Sequence, residues 1–180
     1  MFSKIVVPLD GSELAESVLK IVEPLTRDFE SQIMLVRVVE PSPSLYFVDS
    51  PTALANILRR NKEDCLDYLN AVANRLWAKG LSVNVMACDG VVASTIVDVA
   101  EKAQADLIAM TTHGRSGVGR WLLGSVADRV VKGSRIPILL SRGLVTESAK
   151  GELIEDRKLP QSAGNPALGL SALIPFSTVH

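Results

Sequence analysis

The chain has 180 residues, of which 47% are hydrophobic and 22% charged, with Lys+Arg (19) and Asp+Glu (20) almost balanced at a formal net charge of −1. That length suits one domain with a real core, and the balance lacks the basic excess of a nucleic-acid or anionic-membrane binder. No run approaches the ~20 apolar residues of a membrane span, so the protein is expected to be soluble and cytoplasmic, with no membrane or nucleic-acid partner.

The opening "MFSKIVVPLDGSE" does not read as a signal peptide, because its apolar run is short and ends at Asp10. "KIVVPLD" is instead a short, largely β-branched run of the kind found in a strand covered on both faces. "GSELAESVLKIVEPL" places Leu14, Val18, Ile21, Val22 and Leu25 at helical spacing. Asp10 or Ser12 can cap this helix, and Glu13 and Glu16 favour its amino end. "QIMLVRVVE" is a second buried strand. Residues 41–51, "PSPSLYFVDSP", read as a loop, and a long helix follows through "NKEDCLDYLNAVANRLWAKG" with a stripe of Cys65, Leu69, Val72 and Leu76. Gly80 suits the position just past its end.

"LSVNVMACDG" alternates as a strand near a sheet edge, "VASTIVDVAEKAQ" is helical, and "ADLIAMTT" is another buried strand. A glycine-rich stretch, "TTHGRSGVGRWLLGS", leads into the helix "SVADRVVKG", with Val126 and Val130 on one face. "IPILLSR" is the last strand, with Pro137 at its start. This alternation predicts an α/β fold with a parallel, doubly wound sheet over residues 1–143 and helices on both faces. Residues 144–180 lose any sustained period and read as an irregular extension, or one that docks on a partner subunit.

Ligands of such sheets collect at the carboxyl ends of strands where the strand order reverses. Asp10 closes the first strand and the glycine-rich stretch opens at the fourth, so the two meet if those strands are neighbours. The stretch fails the P-loop pattern, because Ser125 stands where lysine belongs, and fails the dinucleotide fingerprint, because Leu122 replaces the third glycine. No G-x-S-x-G elbow is present. Two readings remain open on spacing alone. Glycines and the helix amino end can cradle a phosphate. Alternatively the stretch is a βα connection with Ser125 as a helix N-cap and no ligand. Two Cys and two His supply too few ligands for a structural zinc site, and no metal site is expected.

"KIVVPLDGSE", "VVE", "ADLIAMTTHGRSG" and "LLGSVADRVV", in that order, resemble the universal stress protein family. The resemblance covers about Phe2 to Arg142 and implies a five-stranded sheet in the order 3-2-1-4-5. The ATP-binding branch is similar to G-x-x-G, nine residues, then G-[ST]. Here Gly114 is the second glycine, Arg115 to Leu123 are the nine residues, Gly124-Ser125 completes the motif, and Thr111 replaces the first glycine.

What the resemblance implies is an adenine nucleotide, ATP, with Mg as an accompanying ion. Asp10 would meet the ribose or phosphate end, Val38 the adenine, and Met110 and Thr111 the adenosine. Gly114, Gly124, Ser125 and Val126 would hold phosphates. Arg115, by its own chemistry, is either a solvated side chain or one that reaches the polyphosphate. The resemblance also implies a homodimer through residues 136–142 and a non-enzymatic regulatory role in stress response, with slow ATP hydrolysis as the most catalysis expected. The alternative is a partner-binding scaffold, its protein partner unknown, in which Thr111 has weakened or removed nucleotide affinity.

Overall fold

A computed structural model of the chain describes residues 2–40, 48–112 and 123–142. All of them lie in one compact unit, Met1–Val145. The extension predicted over 144–180 lies outside the described residues.

Five strands alternate with helices: β1 (Lys4–Pro8), α1 (Glu13–Glu16), α2 (Leu19–Phe29), β2 (Gln32–Val39), α3 (Pro51–Trp77), β3 (Ser82–Asp89), α4 (Val92–Lys102), β4 (Leu107–Thr112), α5 (Ser125–Gly133) and β5 (Ile138–Arg142). All pairings are parallel, and the order is β3-β2-β1-β4-β5, as the resemblance implied. β3 is an edge strand, as its alternation suggested.

The central strands read as unbroken apolar runs because both of their faces are covered. Successive side chains point to opposite faces. Ile5 and Val7 of β1, Ile33 and Leu35 of β2, and Leu107 and Ala109 of β4 therefore enter one core, with Val22 of α2 and Leu69 and Leu76 of α3. Val6, Val36, Ile108 and Met110 enter the other, against Ile96 and Val97 of α4 and Ala127 and Val130 of α5.

Two element boundaries differ from the sequence reading. The single helix expected over 11–25 is two. The Ser17 hydroxyl donates to the Leu14 carbonyl at 2.6 Å, and backbone N–H groups from Ser17 to Ile21 include bonds to carbonyls three residues back. Such bonding tightens the turn and ends α1, which a helical apolar spacing alone does not reveal. The long helix also begins at Pro51, ten residues before the stretch assigned to it. Ser50 is its N-cap, accepting from Ala53 N at 3.3 Å, and Pro51 occupies the first helical position, where its missing N–H costs nothing. Its end matches expectation: Gly80 has φ +79°, and Leu81 N–H returns to the Leu76 carbonyl at 3.2 Å.

Candidate functional site

β1 pairs with β2 on one side and β4 on the other, so the strand order reverses beside the carboxyl end of β1. A cavity of about 260 Å³ opens there. Its inner wall is apolar: Val36 and Val38 from β2, Met110 from β4, Val92 and Ile96 from α4, and Val126 and Ala127 from α5. The rim carries the polar groups, Asp10, Arg37 and Thr111. An apolar slot with a few polar groups at its mouth is the usual form of a small-molecule site.

Five residues singled out from sequence therefore line one cavity: Asp10, Val38, Met110, Thr111 and Val126. Gly124 and Ser125 stand at the amino end of α5, directly before two lining residues. Gly114 and Arg115 lie outside the described residues. Gly124, not Ser125, is the N-cap of α5, and no side chain caps the helix among the described residues. The reading of Ser125 as an N-cap is thereby corrected, because Ser125 already has its place inside the first turn. The first intrahelical bond runs from Asp128 N to the Gly124 carbonyl at 2.9 Å. The amides of Ser125, Val126 and Ala127 precede it, and amides at that position carry the positive end of the helix dipole.

Asp10 shapes the turn after β1. Its Oδ1 accepts from Ser12 N at 2.9 Å, and Ser12 Oγ in turn accepts from Ala15 N at 3.1 Å, capping α1. Of the two cap candidates, Ser12 serves the helix and Asp10 serves the turn. Between them Gly11 has φ +93°, a backbone conformation that side chains strain to adopt.

Arg37 was not singled out from sequence. By parity it belongs to the α3 side of β2, where Leu35 packs in the core, but its guanidinium sits at the carboxyl edge of the sheet. Arg37 Cζ lies 5.0 Å from the centroid of the Tyr68 ring, and a Cβ built on Gly11 would be 3.1 Å from Nη2 and 3.2 Å from Cζ and Nη1. The Tyr68 hydroxyl donates to Glu16 Oε1 at 3.0 Å, and Arg75 pairs with the other oxygen of that carboxylate. Burial first, and the bond to Glu16 second, push the Tyr68 hydroxyl well above its ordinary pKa, so it remains a protonated donor. The available signal was a charged residue inside "QIMLVRVVE", a run otherwise suited to full burial.

Cys65 and Cys88 are both free thiols. Cys88 pairs with Val38 across β2 and β3, and burial pushes its thiol upward, away from a reactive thiolate. Among the described residues no group of three or more His, Cys, Asp or Glu could hold a metal ion, and no helix is long and apolar enough to cross a membrane.

Fold and cavity together define a doubly wound α/β protein with a ligand-sized slot at its topological switch point. The model of the universal stress protein family matches residues 1–142, and the chain belongs to that family. A universal stress protein of Methanocaldococcus jannaschii, MJ0531, is 34% identical over 145 residues, covering 78% of this chain and 82% of the relative. Among solved structures, MJ0577 is similar with a TM-score of 0.67 at 27% identity, over 79% of this chain and 96% of that one. A universal stress protein family protein of Arabidopsis thaliana, solved with AMP bound, shares the fold with a TM-score of 0.58 at 17% identity, over 81% of this chain and 94% of that one.

Proposed function

We propose that this protein is a stress-response regulator of the cytoplasm that binds an adenine nucleotide, ATP with Mg in the first instance, and acts as a homodimer through occupancy rather than catalysis. The observation that carries this reading is one cavity that joins an apolar slot, Val38 and Met110, to the amino end of α5, which no side chain caps among the described residues. The slot suits a flat base, and the helix end suits phosphate. Asp10 on the rim offers a carboxylate to ribose hydroxyls. On the same fold, the Arabidopsis thaliana protein holds AMP.

The test is to purify the protein without added nucleotide, denature it and identify what is released by mass spectrometry, then titrate the emptied protein with MgATP in a calorimeter. Co-purified adenine nucleotide, or saturable heat, is expected. No released nucleotide, no heat and no rise in melting temperature together would overturn the reading. Any hydrolysis is expected to be slow, and turnover unchanged by Asp10→Asn and Ser125→Ala would exclude this site as its source.

A second reading rests on Thr111. It lines the cavity where the family motif has glycine, adding a Cβ, a methyl and a hydroxyl to a half-buried wall. If the chain is a partner-binding scaffold whose site has lost affinity, Thr111→Gly creates nucleotide binding absent from the wild type. Equal binding by both forms makes the substitution innocent.

A further inference from the structure

The nucleotide reading accounts for one positive pole of the site, the amino end of α5, and leaves Arg37 unused. Arg37 enters the rim from β2, on the far side of β1 from α5. Neighbouring strands are about 4.8 Å apart, so a residue on β2 stands on the order of 10 Å across the sheet from β4, which leads into α5. A single 5′-phosphate held at α5 therefore lies about two strand spacings from the backbone that carries the guanidinium.

Two contacts, one of them itself anchored, hold Arg37 in place without using its donors. Tyr68 lies against it at 5.0 Å from ring centroid to Cζ, Gly11 passes beneath with no Cβ to displace it, and Tyr68 is itself anchored to Glu16. Among the described residues, no hydrogen bond or ion pair of the guanidinium is formed. A planar fork of five N–H donors, pre-positioned by packing, matches the paired oxygens of a phosphate or a carboxylate, and of the two the nucleotide supplies phosphate. Its neighbour on the rim is Asp10, the carboxylate suited to ribose hydroxyls. Where dinucleotide-binding α/β sites discriminate at the ribose, an acidic residue takes the free hydroxyl in one class and an Arg takes a phosphate on that edge in the other, and this rim carries both residue types.

We propose that Arg37 forms a second anion subsite at the ribose edge of the cavity, so that the site prefers adenine nucleotides phosphorylated on the 2′ or 3′ oxygen as well as the 5′ oxygen. This rests on the nucleotide reading and adds the class of nucleotide. Gly11 and Tyr68 are positioning residues in it, since they act through the guanidinium.

The experiment is calorimetric titration of the full chain with AMP, adenosine 2′,5′-bisphosphate and adenosine 3′,5′-bisphosphate, each against wild type, Arg37→Met and Arg37→Lys. Wild type is expected to bind one bisphosphate at least about tenfold more tightly than AMP, the scale of one good charge-assisted contact. The arm that wins identifies the ribose oxygen. In Arg37→Met the bisphosphate-to-AMP ratio falls to about one, whatever the substitution does to AMP itself. Arg37→Lys keeps the charge without the fork and falls between. A wild-type ratio near one, with AMP bound, overturns the subsite and leaves the nucleotide reading standing. A preference that survives Arg37→Met also overturns it. Binding of none of the three probes by a protein that melts cooperatively overturns the subsite, and MgATP titrated into the same protein then decides the nucleotide reading separately: saturable heat keeps it, and no heat overturns it as well.

Discussion

Gly11 shows how one residue links backbone conformation to the ligand cavity. Its φ of +93° strains any side chain, and an added Cβ would also meet the Arg37 guanidinium at 3.1 Å. Gly80 separates the two effects, since it has φ +79° but no atom within 4 Å of a Cβ built there. Both Gly11→Ala and Gly80→Ala are expected to cost about 1–3 kcal/mol in urea unfolding, the range of a strained backbone position. Only Gly11→Ala also displaces Arg37, so only it changes nucleotide affinity. Equal affinity in the two variants would show that the position of the Arg37 guanidinium does not contribute to nucleotide binding. Asp10 and Thr111 were legible in the sequence because a carboxylate after a strand and a broken glycine motif are local features. Arg37 was not, because its position depends on where α3, remote in sequence from the glycine turn, delivers Tyr68.

At the scale of elements, β1 and β4 carry the site between them yet share a short stretch of register, Ile5 with Leu107 and Val6 with Ile108. Asp106 fastens the other end of this pair. Its Oδ2 accepts from Ser3 N at 2.7 Å and Lys4 N at 2.9 Å, while its own N–H donates to the Lys4 carbonyl at 2.9 Å. The bonds from Lys4 and Ser3 hold its carboxyl below the ordinary carboxylate range. A carboxyl lowered by folding contributes stability that is present above its unfolded pKa of about 4 and lost as pH falls through the folded value. Asp106→Asn is therefore expected to lower the urea midpoint at pH 7, with the gap to wild type closing toward pH 3. A gap independent of pH would mean that the carboxylate charge plays no part in the clamp. The five strands were legible because buried parallel strands are short apolar runs bounded by turn residues. The break at Ser17 and the start at Pro51 were not. One depends on a hydroxyl returning to a carbonyl, and the other on a proline that looks the same in a loop and at a helix start.

At the scale of the whole molecule, among the described residues β5 pairs with β4 on one side only, and Leu140, 37% exposed, stands at the sheet edge. An edge strand that carries an apolar side chain is a template for pairing with another chain. A two-fold axis normal to the sheet would set two such strands antiparallel and bury both copies of Leu140 in one closed interface. The homodimer proposed through residues 136–142 predicts that Leu140→Asp sediments as a monomer where the wild type sediments as a dimer, because two buried carboxylates would face each other across the axis. Wild type at monomer mass would remove the dimer from the proposal outright. The same variant tests whether the site is complete in one chain. The described residues lining the cavity belong to β1, the turn after it, α1, β2, α4, β4 and α5, and none belongs to β5. Monomeric Leu140→Asp should then bind nucleotide with wild-type affinity. Loss of binding on monomerisation would instead mean that the partner copy supplies part of the site, and that assembly and occupancy are thermodynamically linked.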